Sequence, residues 1–277
     1  MDAAAVTNGV AAASAKAAAP QMPKNADGTT PIMKAKRDWR AAFRAMGHLL
    51  NDPNDTVSVF RIMQALNAGT TERNYQRLVG TVEGGRIAYQ RVELIEKLTD
   101  KAWVAQFAPG TVGATYRAFL EKTGYSADGL AAVGDAVHGK RFDKHPYAWF
   151  GRRERDLHDI WHVLTGYQAD DPLGELCLVA FSYAQTKGLG WGFIATMGAL
   201  KNLREPGGRA VLRAVLEGYR NGRATRWLHL EDIDVLFAEP LDAARARLGI
   251  ADPVAYKAAK AMEAATAFDK PAEAKAA

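Results

Sequence analysis

A chain of 277 residues, 48% hydrophobic and 9% aromatic, carries enough apolar material for one large domain or two small ones. Its net charge of +5 is mild and its Lys and Arg residues are dispersed, which argues against nucleic-acid binding and leaves an anionic membrane surface or an acidic substrate open. No run reaches the ~18 apolar residues of a spanning helix, Met1-Asp2 opens no positive leader of a secretory signal, and the single Cys177 excludes an internal disulfide and fits a reducing compartment.

Residues 1–34 read as a disordered Ala-rich tail, with Pro20 and Pro23 and no aromatic before Trp39, because such a segment buries too little to offset its ordering entropy. From Trp39 the spacing is helical: Trp39, Phe43, Met46 and Leu50 form one stripe, ended by Asn51-Asp52-Pro53. Asp55 is placed to cap a second helix carrying Val59, Ile62, Met63 and Leu66. Ala88, Val92, Ile95 and Leu98 mark a helix after Gly84-Gly85. Val112, Tyr116 and Phe119 mark another after Pro109-Gly110, and Leu130, Val133 and Val137 a weaker one. Further helices are expected near 150–165, 172–187, 190–203, 206–221 and 239–248. From Asp252 the chain turns Ala/Lys/Glu-rich, a composition compatible with a solvated helix but read first as an accessory C-terminal tail, 252–277, leaving 35–251 as the domain. No alternating strand pattern interrupts the series, so the expected fold is an all-α helical bundle.

The chemistry concentrates between Arg152 and Phe181. On a helical wheel Leu157, Ile160, Trp161 and Leu164 share one arc as a core stripe, and His158 and His162 sit together beside it. Asp159 flanks His162, and Arg155 projects in nearly the same direction one turn earlier. Two imidazoles four residues apart can grip one metal ion. Gly166 can end this helix, and Asp171-Pro172 is an N-cap followed by a first-turn proline for the next. A connection this short makes the helices antiparallel, so Glu175, one turn after the restart, meets His162, one turn before the break. The expected site is therefore a divalent metal held by His158, Asp159, His162 and Glu175 across a helical hairpin. Zn²⁺ suits these donors best, with Fe²⁺ or Mn²⁺ also compatible.

Blander readings stand beside this one. A His-x-x-x-His pair alone is more often a solvated helix face, and Arg152 and Arg155 can simply pair with Glu154 and Asp156. Arg155 can alternatively bind a substrate anion. Gly188-Leu189-Gly190-Trp191-Gly192 follows no strand and reads as a helix–helix turn rather than a dinucleotide fingerprint. Cys177 points away from Glu175 and reads as core, and His138 and His145 as surface histidines. A His-Asp phosphohydrolase would recruit His138 and Asp232 but leave His162 and Glu175 unexplained.

The stretch His158-Asp159-x-x-His162 followed by Leu173-Gly174-Glu175 resembles the metal motif of the coenzyme Q (ubiquinone) biosynthesis protein 4 family. Pro109-Gly110-Thr111-Val112-Gly113-x-x-Tyr116-x-x-Phe119, Asn221-Gly222-Arg223-Ala224 and Leu241 through Arg245 to Leu248-Gly249-Ile250 extend the likeness over roughly Leu49 to Ile250. One residue more than the family pattern separates His162 from Glu175, and the loop near Ala169 is where an insertion costs least. The resemblance implies an all-helical fold, a zinc-type site, and oxidative decarboxylation at ring carbon C1 of a prenylated 4-hydroxybenzoate. It also implies peripheral membrane contact, in the cytoplasm or an organelle interior, with other ubiquinone-biosynthesis proteins as partners. Homo-oligomerisation is left open. A non-catalytic lipid-binding scaffold with a structural metal is the alternative, separated from the enzyme by whether the coordination sphere is closed or open.

Overall fold

Helices start where short polar side chains precede apolar spacing: Asp38, Asp55, Thr81, Asp100, Thr111 and Asp171 each accept a hydrogen bond from a backbone N–H in the turn that follows. The computed structural model describes residues 36–124 and 145–268. The first group of helices is α1 (Trp39–Asn51), α2 (Thr56–Leu66), α3 (Thr70–Val79), α4 (Val82–Gln90), α5 (Leu94–Thr99), α6 (Lys101–Ala105) and α7 (Val112–Thr123). The second is α8 (Pro146–Thr165), α9 (Pro172–Thr186), α10 (Leu189–Asn202), α11 (Gly208–Ala224), a 3₁₀ turn (Leu228–Leu230), α12 (Ile233–Ala238), α13 (Leu241–Leu248) and α14 (Val254–Phe268). No strand occurs among the described residues, only an isolated bridge between Thr111 and Pro240. The fold is all-α. None of these helices is long and apolar enough to cross a membrane.

The hairpin α8–α9 runs through the core. Leu157, Ile160, Trp161 and Leu164 of α8 and Cys177, Leu178, Ala180 and Phe181 of α9 are buried in one continuous cluster. Cys177 is packed there as expected, and burial pushes its thiol pKa up. Helix α9 packs against α10 and α11. Against α11 the backbones touch: a Cβ on Gly222 would stand 2.6 Å from the Phe181 carbonyl oxygen, and one on Gly218 2.5 Å from that of Cys177.

Several sequence expectations change. Trp39 and Phe43 do not join the core; α1 buries Ala42, Ala45, Met46 and Leu49, because the small alanines allow close approach to α2. The helix expected through Ala88, Val92, Ile95 and Leu98 is two helices, broken where Arg91 takes a left-handed φ of 47°, and Gly84-Gly85 lie inside α4 because Thr81 already caps it. The segment after Asp252, read as a tail, forms α14, whose Tyr256 is 3% exposed and whose N-terminal amides at Ala255 and Tyr256 donate to the Glu217 carboxylate. The tail 1–34, the helix at Leu130–Val137 and His138 lie outside the described residues.

Candidate metal centre

Two helix ends meet at the centre. Helix α8 closes at Gly166, left-handed at φ 78°, whose N–H donates to the His162 carbonyl. Helix α9 opens at Asp171, which accepts from the N–H groups of Leu173 (3.4 Å) and Gly174 (3.1 Å), a cap of about 1 kcal/mol. The loop lies flat against α9, leaving no room for a side chain at Gly174: a Cβ there would sit 2.1 Å from the Gln168 carbonyl oxygen. Ala169, in the loop where the extra residue is expected, is buried.

Glu175 consequently spans both histidines. Its Oε1 lies 3.2 Å from His162 Nε2 and its Oε2 3.5 Å from His158 Nε2. One ligand atom from each of His158, His162 and Glu175 lies within 4.8 Å of the others. The ring of His162 is fixed from behind, with Nδ1 2.8 Å from the Tyr167 carbonyl oxygen. That carbonyl can only accept, so Nδ1 carries the proton and Nε2 presents its lone pair. Among the described residues Nε2 is buried without a hydrogen-bond partner and faces a carboxylate oxygen, so that with His162 neutral the two meet lone pair to lone pair. Only a second proton or a cation relieves such a contact, and a metal ion fits it. His158 stands perpendicular to His162, ring centroids 4.9 Å apart, and stacks on Trp191 at 5.9 Å and 7°. Phe119 of α7 stacks on His162 at 6.0 Å.

Electrostatics follow this geometry. Burial would push the Glu175 carboxyl up, but the two histidines outweigh it and hold the carboxyl well below the usual range. Burial likewise works against the His158 imidazolium, and the Glu175 carboxylate overcomes it to raise the imidazole above its ordinary value. Burial pushes the Asp159 carboxyl up, against the pull of both histidines. Tyr116, with no exposed surface and its hydroxyl without a partner among the described residues, has a phenol pKa raised by burial and by the charges of Asp159 and Asp156.

Of the four expected ligands, three converge. Asp159 stands beside them, within electrostatic reach but outside the group of converging donor atoms. Arg155 donates from Nε to Asp156 at 2.8 Å, and Arg152 forms a two-point pair with Glu93 at 3.0 and 2.6 Å. His145 accepts from the Tyr147 N–H as the cap of α8, and Asp232 caps α12 and pairs with Arg86. Sequence reasoning missed Tyr167, Trp191 and the stacking role of Phe119. Trp191 lies in the glycine-dense segment read as a helix–helix turn, of which only Gly188 precedes the helix while Leu189–Gly192 form the first turn of α10.

A family model described as coenzyme Q (ubiquinone) biosynthesis protein Coq4 matches residues 27–254. The mitochondrial ubiquinone biosynthesis protein COQ4 of Pyricularia oryzae is 29% identical over 166 residues, covering 59% of this chain and 52% of that protein. Its namesake in Neurospora crassa is 33% identical over 103 residues, 37% of this chain and 28% of that one. The chain spans about half the length of the curated relatives it matches. Among solved structures, a protein from Nostoc punctiforme PCC 73102 assigned provisionally to ubiquinone biosynthesis superposes with a TM-score of 0.57 at 21% identity, covering 78% of this chain and 99% of that one, a likeness of fold.

Proposed function

The chain belongs to the Coq4 family of coenzyme Q (ubiquinone) biosynthesis proteins, and on that premise we propose that it is a metal-dependent enzyme that oxidatively decarboxylates C1 of a prenylated 4-hydroxybenzoate. The observation that carries the reading is the convergence of His158, His162 and Glu175, with His162 Nε2 buried 3.2 Å from the Glu175 carboxylate. His158, His162 and Glu175 would hold the ion, Zn²⁺ first and Fe²⁺ or Mn²⁺ by the same donor chemistry, and it would supply Lewis acidity toward the substrate's carboxylate or ring oxygen. Tyr167 keeps His162 in the ligating tautomer, and Trp191 and Phe119 hold the two rings in place. Arg155 would meet the substrate anion by exchanging its contact with Asp156. Replacing carboxylate by hydroxyl removes two electrons from the substrate, so a separate oxidant has to accept them.

Three protein donors among the described residues leave a coordination position for substrate, which supports an enzyme. Asp159, so close to both histidines, supports the second reading, a lipid-presenting scaffold whose metal it would close off as a fourth ligand. In both readings the partners are a prenylated quinone precursor and other ubiquinone-biosynthesis proteins, at a membrane surface. Asp159→Asn and Glu175→Gln decide between them, once each variant is shown to fold and to bind lipid. Cells depending on such a variant should accumulate the carboxylated prenyl precursor and lack ubiquinone. Normal ubiquinone with a folded, metal-free variant would overturn the enzymatic reading, and loss of ubiquinone without the carboxylated precursor would place the chain at another step.

A further inference from the structure

Only the first residue of the C-terminal helix α14 falls within the family match, which ends at residue 254, yet the helix lies on the metal hairpin. Its Tyr256 hydroxyl donates to Asp171 Oδ2 at 2.8 Å, and its Lys260 ammonium reaches Asp171 Oδ1 at 3.0 Å. The same two oxygens accept the Gly174 and Leu173 amides that start α9. The backbone carbonyl of Asp171 also accepts the N–H of Glu175 at 2.9 Å. Asp171 is thus gripped from the outside by α14 while it sets the first turn that aims Glu175. On the other arm of the hairpin, the Tyr256 ring packs edge-on against Tyr167 at 5.4 Å, and its hydroxyl accepts the Gln168 N–H at 3.4 Å. Tyr167 is the residue whose carbonyl orients His162. One side chain therefore touches the supports of two ligands carried on different helices.

We propose that Tyr256 is a positioning residue for the metal centre, acting through Asp171 on Glu175 and through Tyr167 on His162, with α14 as a strap across the hairpin loop. Helix α14 can serve this purpose because its own N-terminus is fixed by Glu217 of α11, at 3.0 and 2.9 Å from the Ala255 amide. The inference rests on the metal reading above. Outer partners of metal ligands typically change affinity by about 10–100-fold when removed, and a partner one step further out should fall at the lower end.

The test is Co²⁺ titration of the full chain, followed by the visible ligand-field bands that report ligand geometry, with unsubstituted protein, Tyr256→Phe, Asp171→Asn and the double variant. Tyr256→Phe keeps the ring and the helix and removes only the hydroxyl. The expected result is a Co²⁺ dissociation constant raised about tenfold in Tyr256→Phe with shifted bands at saturation. The double variant should be no weaker than Asp171→Asn alone, since both changes cut one chain of contacts. A purely structural Tyr256 would lower the melting temperature while leaving Co²⁺ affinity and bands as they were, and that outcome overturns the proposal. Additive losses overturn the route through Asp171. Absence of Co²⁺ bands in the unsubstituted chain overturns the metal centre itself, and the strap with it.

Discussion

At the scale of single residues, the centre is a matter of where protons sit. The His158 imidazole is raised above its ordinary value of 6.5, so its charged form stabilises the metal-free fold below that pH and the contribution is lost as pH rises through the folded value. Glu175 is lowered from its ordinary 4.5, so its contribution is present above that pH and lost as pH falls through the folded value. Both charges are in place between about pH 4.5 and 6.5, where the metal-free triad stabilises the protein most. A metal ion has to displace the His158 proton, so the rise in melting temperature on adding Zn²⁺ should be larger at pH 8 than at pH 6. Equal rises at the two pH values would remove His158 from the ligand set. At pH 8, purified protein should carry about one divalent ion, strongly reduced in His158→Ala and in His162→Ala, because each change removes a neutral nitrogen ligand. Unchanged metal content in both variants would end the assignment. His158, His162 and Glu175 were legible in the sequence because a four-residue step and the punctuation Gly166, Asp171-Pro172 fix their faces and heights. Asp159 shows the limit of a wheel: direction from the helix axis places a carboxyl near a site without saying which rotamer it adopts. Tyr167 acts through a backbone carbonyl, which no side-chain pattern announces.

Elements are set by which faces come close. Hydrophobic spacing located nearly every long helix because each buries an apolar stripe. It passed over α3, whose inward face is Thr70, Asn74 and Leu78, two of them polar. Asn74 is tolerated there because its amide donates to the Thr186 carbonyl at 3.0 Å, satisfying a group that burial alone would penalise. The misplaced stripe of α1 has a related cause, since alanines carry the contact and a pattern weighted toward large residues points to Trp39 and Phe43. Gly222 belongs to the segment Asn221-Gly222-Arg223-Ala224, singled out only by resemblance. Its role in the structure is the touching of α9 and α11 at the Phe181 carbonyl. Any side chain there meets backbone, which cannot rotate away. Gly222→Ala should therefore cost about 1–3 kcal/mol by overpacking, read as a lower urea midpoint at unchanged slope. A midpoint equal to that of the unsubstituted chain would mean that the two helices are not held at this distance.

For the whole molecule, the question is which side meets a bilayer, given the peripheral membrane contact proposed for it. Trp39 is 44% and Phe43 55% exposed, and both rings rest on Phe193 of α10, at 5.9 and 5.0 Å. Leu200, seven residues beyond Phe193 and so on the same side of α10, is also exposed. Arg40 and Arg44 stand exposed on α1 beside the aromatic pair, with Lys36 and Arg37 just before it. Aromatic rings flanked by cations match an anionic lipid surface, where the rings enter the headgroup boundary and each nearby cation contributes about 1 kcal/mol. A protein partner would also cover rings, but it would not call for four cations around them. We therefore expect the full chain to co-sediment with vesicles containing phosphatidylserine or cardiolipin, to bind phosphatidylcholine vesicles weakly, and to release from the anionic ones as salt rises. Trp39→Ser with Phe43→Ser should reduce binding at least tenfold while leaving metal content unchanged, because the ring contacts of both are with each other and with Phe193 of α10. Arg40→Gln with Arg44→Gln should flatten the salt dependence and spare whatever binding the rings supply. Undiminished vesicle binding in both double variants would move the membrane face elsewhere on the molecule. Loss of metal in the ring variant would instead reveal that α1 and α10 are coupled to the centre, for which Trp191, on α10 beneath His158, offers the route.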